Sequence, residues 1–144
     1  MIGPDKDGSL NYCQKLSKKY NIDHKIDFLG YLNKTEWIKV ANDHDIFINT
    51  STIDNLPVSI IEMMALGLPV VSTDVGGIPF ILKHRKNSLL VKNNDEEDMA
   101  YQIKFLIDKP LFAGEISAKA FEDSKNFSTS LVIPEWSKII KHYS

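Results

Sequence analysis

Cysteine is nearly absent from this chain of 144 residues, since Cys13 is the only one. A single cysteine cannot form an intrachain disulfide, which fits a reducing compartment. The first five residues, MIGPD, do not have the pattern of a secretory leader, so we expect a cytoplasmic protein. No apolar run approaches the roughly 18–20 residues that a membrane span requires, and no transmembrane segment is expected.

An excess of positive charge is also missing, because 17 basic residues stand against 19 acidic ones. A nucleic-acid backbone calls for a clustered basic surface, so we expect no nucleic-acid partner. The motifs of serine hydrolases and of P-loop phosphotransferases do not occur. No metal site is expected either, because the histidines share no suitable spacing (His24, His44, His84 and His142).

Residues 45–77 carry the clearest structural pattern in a chain whose length predicts a single domain, 1–144. Residues 45–50 and 69–73 are short apolar β-branched runs, predicted to be strands buried on both faces. A helix is predicted between them, capped by Asp54 or Asn55 and ended by Gly67. Such short connections predict a right-handed parallel crossover, and so an α/β fold with a Rossmann-like, doubly wound parallel sheet.

Two loops follow these strands, residues 51–56 and 74–77. Ligands bind an open parallel sheet beyond the carboxyl ends of its strands, so these loops are the candidate site. A short helix is predicted over residues 78–83. Its N-terminus, behind Gly76 and Gly77, could present backbone amides to an anion.

Glu62 stands in the middle of the predicted helix, which is apolar on all sides and therefore expected to be buried. A buried polar group without a partner costs roughly 2–7 kcal/mol, so this carboxylate requires one. One interpretation is structural, with hydrogen bonds from nearby loop amides or from hydroxyls such as those of Thr50 and Ser51. The other is functional, because the two oxygens of a carboxylate suit the two hydroxyls of a vicinal diol.

The spacing from Asp54 to Glu62, followed by MMALGLPVVSTDVGG, resembles a known signature. It is similar to the acidic-x7-Glu motif of retaining GT-B glycosyltransferases (glycosyltransferase group 1, family 4-like), which use nucleotide-sugar donors. The positions that fall on the family pattern are Pro57, Glu62, Met64, Ala65, Gly67, Pro69, Val70, Val71, Gly76 and Gly77.

The resemblance implies a role for each part of the motif. Glu62 would hold the ribose hydroxyls of the nucleotide, while Asp54 and the backbone of Asn55, Leu56 and Pro57 would face the donor sugar and its phosphates. Two positions depart from the pattern, since the family usually has Glu where this chain has Asp54 and Gly where it has Asn55. Neither a metal nor another cofactor is implied.

The beginning of the chain resembles the second strand of the family's nucleotide-binding domain, ending in a turn at Gly3. Residues 23–29 are predicted to form the next strand, ending at Gly30. By resemblance, Gly30 and Leu32 lie near the nucleotide base; the alternative is an ordinary turn into a helix. The family's first strand-helix unit, with its Arg and Lys, and the N-terminal acceptor domain would then be missing, leaving the catalytic set incomplete.

The last residues, 130–144, are predicted to be a terminal helix that begins near Pro134. Trp136, Ile139, Ile140 and Tyr143 recur at helical spacing and form one apolar stripe. This stripe packs toward the missing N-terminal domain or supports self-association in one interpretation. In the other, it covers the edge of the domain's own sheet.

The function implied for the full-length parent is transfer of a sugar from a nucleotide diphosphate donor to a glycan or lipid-linked acceptor, as in polysaccharide biosynthesis. The anomeric configuration would be retained, and the parent would be cytoplasmic or peripheral to the membrane. The chain alone is expected to be inactive. Two alternatives remain: a stand-alone Rossmann-like binding module without catalysis, and a nucleotide-sugar epimerase of the same architecture.

Overall fold

The computed structural model describes residues 1–5 and 8–142, without the side chain of residue 142. The chain divides into two compact units, Met1–Asp43 and His44–Ser144. The single domain expected over residues 1–144 stays a prediction.

The first unit contains helix α1 (Ser9–Lys19), a 3-10 turn (Asp23–Lys25) and helix α2 (Lys34–Asn42). A capping box starts α2: the Asn33 side chain accepts from the Glu36 amide at 3.1 Å, and the Glu36 carboxylate accepts from the Asn33 amide at 2.9 Å. These reciprocal bonds satisfy amides that have no partner inside the helix, which is why the helix begins there.

The strand predicted over residues 23–29 is wrong. Its first residues form the 3-10 turn, because the amide of Lys25 donates to the Ile22 carbonyl at 2.9 Å. What remains of the pairing is an isolated parallel bridge between Ile2 and Gly30. A strand requires several consecutive backbone pairs, and a single bridge does not provide them.

The second unit is built on a parallel sheet of strands β1 (Phe47–Asn49), β2 (Val70–Thr73) and β3 (Leu89–Val91), in that order across the sheet. Phe47 pairs with Val70, and Val71 pairs with Leu89. The helices along this unit are α3 (Val58–Ala65), α4 (Ile78–Ile81), α5 (Glu96–Asp108), α6 (Pro110–Ser124) and α7 (Thr129–His142), with a 3-10 turn at Lys125–Phe127.

Burial differs between the two strands that were expected to be covered on both faces. All of β2 is buried, as predicted. The prediction is wrong for β1, where Ile48 is 43% exposed. The reason is position, because β1 lies at the edge of the sheet in this unit and β2 at its centre.

Helices cover both faces of the sheet, which confirms the doubly wound architecture. Val70 packs in a cluster with Ile60 of α3 and Ile78 of α4. The next residue, Val71, packs in a second cluster with Met99 of α5. Successive strand residues point to opposite faces, so β2 carries one hydrophobic cluster on each side.

Helix α3 ends as predicted and begins later than predicted. Gly67, at φ 77°, follows its last turn, and the amides of Gly67 and Leu68 donate to the carbonyls of Met64 and Met63, both at 3.0 Å. This is a Schellman motif. Neither Asp54 nor Asn55 caps the helix, because Pro57 occupies the cap position and its carbonyl accepts from the Ile60 amide at 3.1 Å.

Helix α7 begins at Thr129, five residues before Pro134, so the predicted start at Pro134 is wrong. The Ser128 carbonyl accepts from the amides of Leu131 and Val132, both at 3.0 Å, and places the helix start at Thr129. Trp136 and Ile139 remain 61% and 50% exposed, which contradicts the interpretation that the stripe covers the sheet edge. Tyr143 lies outside the described residues. Packing against another domain, or self-association, stays a prediction.

Among the described residues, no helix combines the length and apolar character needed to cross a membrane.

Two glycines should respond oppositely to alanine. Gly114 lies inside α6 with open space around it, so Gly114→Ala should stabilise the chain by about 0.5–1 kcal/mol through reduced backbone entropy. Gly67 holds a left-handed conformation at φ 77°, and Gly67→Ala should cost roughly 1–2 kcal/mol. Urea unfolding measures the change in unfolding free energy of each variant. Changes of the same sign in both variants would contradict this account.

Because of Asp123, the free energy of unfolding should decrease at low pH. Burial alone would raise the pKa of this carboxyl, but hydrogen bonds from Lys119 and Asn87 outweigh burial and lower the pKa below its ordinary value of 3.8. The stabilisation is therefore complete above about pH 4 and is lost as pH falls through the lowered pKa. Asp123→Asn should flatten the fall in unfolding free energy below pH 4, and an unchanged slope would contradict this.

Candidate functional site

Two loops meet at the carboxyl ends of β1 and β2. We call residues 51–57 the acidic loop and residues 74–77 the glycine loop. The amide of Gly77 donates to the Asp54 carbonyl at 2.9 Å, which joins them backbone to backbone. The expectation that these loops share one edge of the sheet is thereby confirmed.

The glycine loop lies so close to the acidic loop that side chains do not fit between them. A Cβ added to Gly76 would lie 2.1 Å from the Asp54 carbonyl oxygen. One added to Gly77 would lie 1.7 Å from the Asn55 carbonyl oxygen. Both distances are far inside van der Waals contact, so these two positions require glycine.

The backbone amides of Gly77, Ile78 and Phe80 have acceptors within the chain, and the role of Gly76 and Gly77 toward an anion stays a prediction. Gly77 donates to Asp54, and the Ile78 amide donates to the Val75 carbonyl at 3.1 Å. Pro79 has no amide proton, and the Phe80 amide donates to the Gly77 carbonyl at 3.0 Å. Gly77 thus bonds to its own chain through both its amide and its carbonyl.

A chain of polar side chains ties the acidic loop to the ends of the strands. The Asn49 amide group donates to the Ser72 hydroxyl at 3.0 Å, and the Ser51 hydroxyl donates to the Asn49 side-chain oxygen at 2.9 Å. The Thr73 hydroxyl donates to the Ser51 carbonyl at 2.6 Å. Sequence reasoning missed this role of Thr73, although a hydroxyl at the carboxyl end of a buried strand was a signal for it.

Glu62 is half-buried on α3, which corrects the expectation of a helix buried on all sides. Val58 is 60% exposed and Ser59 is exposed, while Ile60 and Met64 are fully buried. The helix therefore packs along one face and leaves another open. The structural interpretation of Glu62 loses one partner, because the Ser51 hydroxyl donates to Asn49 instead.

The acidic loop is anchored at its end and open at its tip. Pro57 is buried, Asp54 is half-buried, and Asn55 and Leu56 are exposed. The loop leads directly into the first turn of α3, whose leading amides, at Val58 and Ser59, have no acceptor within the helix. The arrangement sets a carboxylate, an exposed backbone and a helix start side by side.

The other predicted site residues lie in the first unit. Gly3 and Gly30 have positive φ values of 140° and 64°, and both line a cleft of about 160 Å³ with Cys13 and Phe28. Leu32 is half-buried and does not line this cleft. Their role near a nucleotide base stays a prediction.

A pocket of about 270 Å³ opens beside the carboxyl ends of the three strands, lined in part by Thr50, Thr73 and Val91. None of the predicted site residues lines it. Lys92, Asp95 and Glu96 are also among its lining residues. The two acidic residues outnumber the single lysine, which does not favour a diphosphate, so the acidic loop remains the candidate site.

In the described part of the chain, no cluster of three or more His, Cys, Asp or Glu side chains could hold a metal ion. The expectation that the site works without a metal stays a prediction.

The fold and the position of the site define a class of protein. The α/β fold, a parallel sheet with helices on both faces, matches the C-terminal, Rossmann-like domains of GT-B glycosyltransferases. The crystal structure of HepE from Anabaena in complex with UDP superposes with a TM-score of 0.88 at 20% sequence identity, covering 98% of this chain and 40% of that one. The chain belongs to the family Glycosyl transferases group 1, which matches residues 1–125.

Curated relatives are longer than this chain. An uncharacterized glycosyltransferase of Haemophilus influenzae is 27% identical over 128 residues, which cover 88% of this chain and 36% of the relative. The poly(ribitol-phosphate) alpha-N-acetylglucosaminyltransferase of Staphylococcus aureus is 27% identical over 124 residues, which cover 85% of this chain and 25% of the relative. The chain thus spans about a quarter to a third of the length of these two proteins.

Proposed function

We propose that this chain is the donor-binding part of a retaining glycosyltransferase, which transfers a sugar from a nucleotide diphosphate to a glycan or lipid-linked acceptor. The observation that carries the proposal is the acidic loop, held at the carboxyl edge of a parallel sheet by the 2.9 Å bond from Gly77 to Asp54. Ligands of open α/β sheets bind at this edge. Family membership and the UDP complexes of HepE support it.

Glu62 is the proposed ribose ligand. Its two carboxylate oxygens can accept hydrogen bonds from both hydroxyls of a vicinal diol. A half-buried position on α3 suits this role, because the group remains reachable while its helix is fixed by the buried Ile60 and Met64. Hydrogen bonds to a charged acceptor are stronger than those between neutral groups, so one residue can contribute much of the affinity.

The acidic loop is the proposed contact for the donor sugar and its phosphates. The Asp54 carboxylate would accept from sugar hydroxyls, and the backbone of Asn55 to Pro57 would face the phosphates. The amides of the first turn of α3 add positive potential where charge develops on the leaving diphosphate. This stabilisation of the leaving diphosphate by backbone amides is electrostatic and requires no bound metal.

The remaining machinery belongs to the longer parent in this proposal. A preceding strand-helix unit would supply basic side chains for the diphosphate, and an N-terminal domain would bind the acceptor. The chain by itself should therefore bind a nucleotide without catalysing transfer. A lipid-linked acceptor would place the parent at the cytoplasmic face of a membrane.

Thermal unfolding with UDP, GDP, ADP and their glucose conjugates tests donor binding. A nucleotide that binds, held at about 100 times its dissociation constant, adds about 2.7 kcal/mol of apparent stability and should raise the midpoint by several degrees. Glu62→Gln keeps the shape of the side chain, removes its charge and should abolish most of the shift. Glu115→Gln, on the exposed surface of α6, is the matched control and should keep the shift.

A shift that survives in Glu62→Gln would contradict the ribose role of Glu62. No shift with any of the six compounds would contradict donor binding by this chain, and would favour the stand-alone interaction module.

A further inference from the structure

We infer that Gly76 and Gly77 are positioning residues for the donor. Their missing side chains let the glycine loop lie directly against the acidic loop and hold Asp54 and Asn55 in place. The inference rests on the proposed function for its consequence, and on backbone geometry alone for its mechanism.

The contact is between two backbones, which gives it little room to adapt. A Cβ at residue 77 would have to move from 1.7 Å to at least 3.0 Å from the Asn55 carbonyl oxygen, a displacement of at least 1.3 Å. A flexible side chain could rotate away from such a clash, whereas a carbonyl can move only with its loop. Any side chain at this position therefore displaces the acidic loop.

The two glycines separate steric from conformational effects. Gly76 has φ 54°, so an alanine there is strained by its own backbone as well as by the clash with Asp54. Gly77 has φ −89°, which lies outside the left-handed region, so an alanine there carries no left-handed strain. Substitution at residue 77 therefore tests the spacing between the loops, without the additional strain of a left-handed backbone.

A second contact from the same strand supports this arrangement. The Thr73 hydroxyl donates to the Ser51 carbonyl at 2.6 Å, near the start of the acidic loop, while Gly77 donates to the Asp54 carbonyl at 2.9 Å, near its middle. The last residue of β2 and the glycine loop that follows it thus hold the acidic loop at two points. Thr73→Val would remove one of them with almost no change in volume.

Displacing the acidic loop should affect one part of the donor more than the other. The sugar and phosphates face Asp54 and Asn55 in the proposed function, whereas the ribose is held by Glu62. Glu62 lies on α3, where Ile60 and Met64 are fully buried in a cluster with Val70 of β2. The ratio of affinities for a nucleotide-sugar and its free nucleotide therefore reports loop position, and a general loss of stability would not change it.

The experiment uses the whole chain with Gly77→Ala and Thr73→Val. Gly114→Ala is the control for the added methyl, because open space surrounds that glycine. Ser117→Ala is the control for the lost hydroxyl, because the Ser117 side chain donates to the Gly67 carbonyl at the other end of α3. Circular dichroism shows that each variant is folded, and Thr73→Val decides the question if Gly77→Ala is not.

Two readouts are measured. The first is hydrogen exchange of residues 51–57 and 74–80 in the free chain. The second is the affinity ratio between the glucose conjugate and the free form of whichever of UDP, GDP or ADP stabilises the wild type most. We expect faster exchange in both test variants and a ratio reduced by about tenfold in Gly77→Ala, since misplacement by about 1 Å can cost up to ~100-fold. Gly114→Ala and Ser117→Ala should have the exchange rates and the affinity ratio of the wild type.

Unchanged exchange in folded Gly77→Ala and Thr73→Val would overturn the positioning role, and so would faster exchange with an unchanged affinity ratio. Failure of the proposed function has a different signature, because the wild type would then bind none of the nucleotides. The exchange measurement would still test in that case whether the glycines fix the acidic loop.

Discussion

The close approach of residues 76–77 to residues 54–55 is the constraint on which the candidate site depends. Two loops that leave neighbouring parallel strands would otherwise be free to separate, since Asn55, Leu56 and Gly76 at their tips are exposed. Here the Gly77 amide donates to the Asp54 carbonyl at 2.9 Å, and a Cβ at either glycine would lie within 2.1 Å of a carbonyl oxygen. Preorganisation of this kind lowers the entropic cost of binding, because the loop is already ordered before a ligand arrives.

The core of the second unit positions the two loops that make this contact. β2 lies at the centre of the sheet, is buried throughout, and carries one hydrophobic cluster on each face. Its carboxyl end supplies Thr73, which holds the start of the acidic loop, and the chain then passes directly into the glycine loop. Helix α3 connects the two strands and carries Glu62, so the ordered core and the candidate donor site share their elements.

Much of this could be predicted from residues whose chemistry allows few alternatives. The run at β2 and the left-handed Gly67 identified the crossover, and the spacing from Asp54 to Glu62 identified the family, to which the chain belongs. One error came from the position of a strand in the sheet, which depends on residues distant in sequence, and another from a local backbone hydrogen bond. The exposure of Ile48 follows from the place of β1 in the sheet, and the start of α7 follows from the Ser128 carbonyl. A glycine pair signals close backbone approach, but the sequence alone does not show whether a ligand or the chain itself approaches.

Mapping of amide chemical shifts by NMR, during titration of the chain with the nucleotide it binds, tests most directly whether the acidic loop is the donor site. The account predicts that the largest shifts fall in residues 51–57, at Glu62 and in residues 74–77, and that the pocket lined by Val91 and Ile103 remains unaffected. Shifts concentrated in that pocket, with the acidic loop unchanged, would contradict the account.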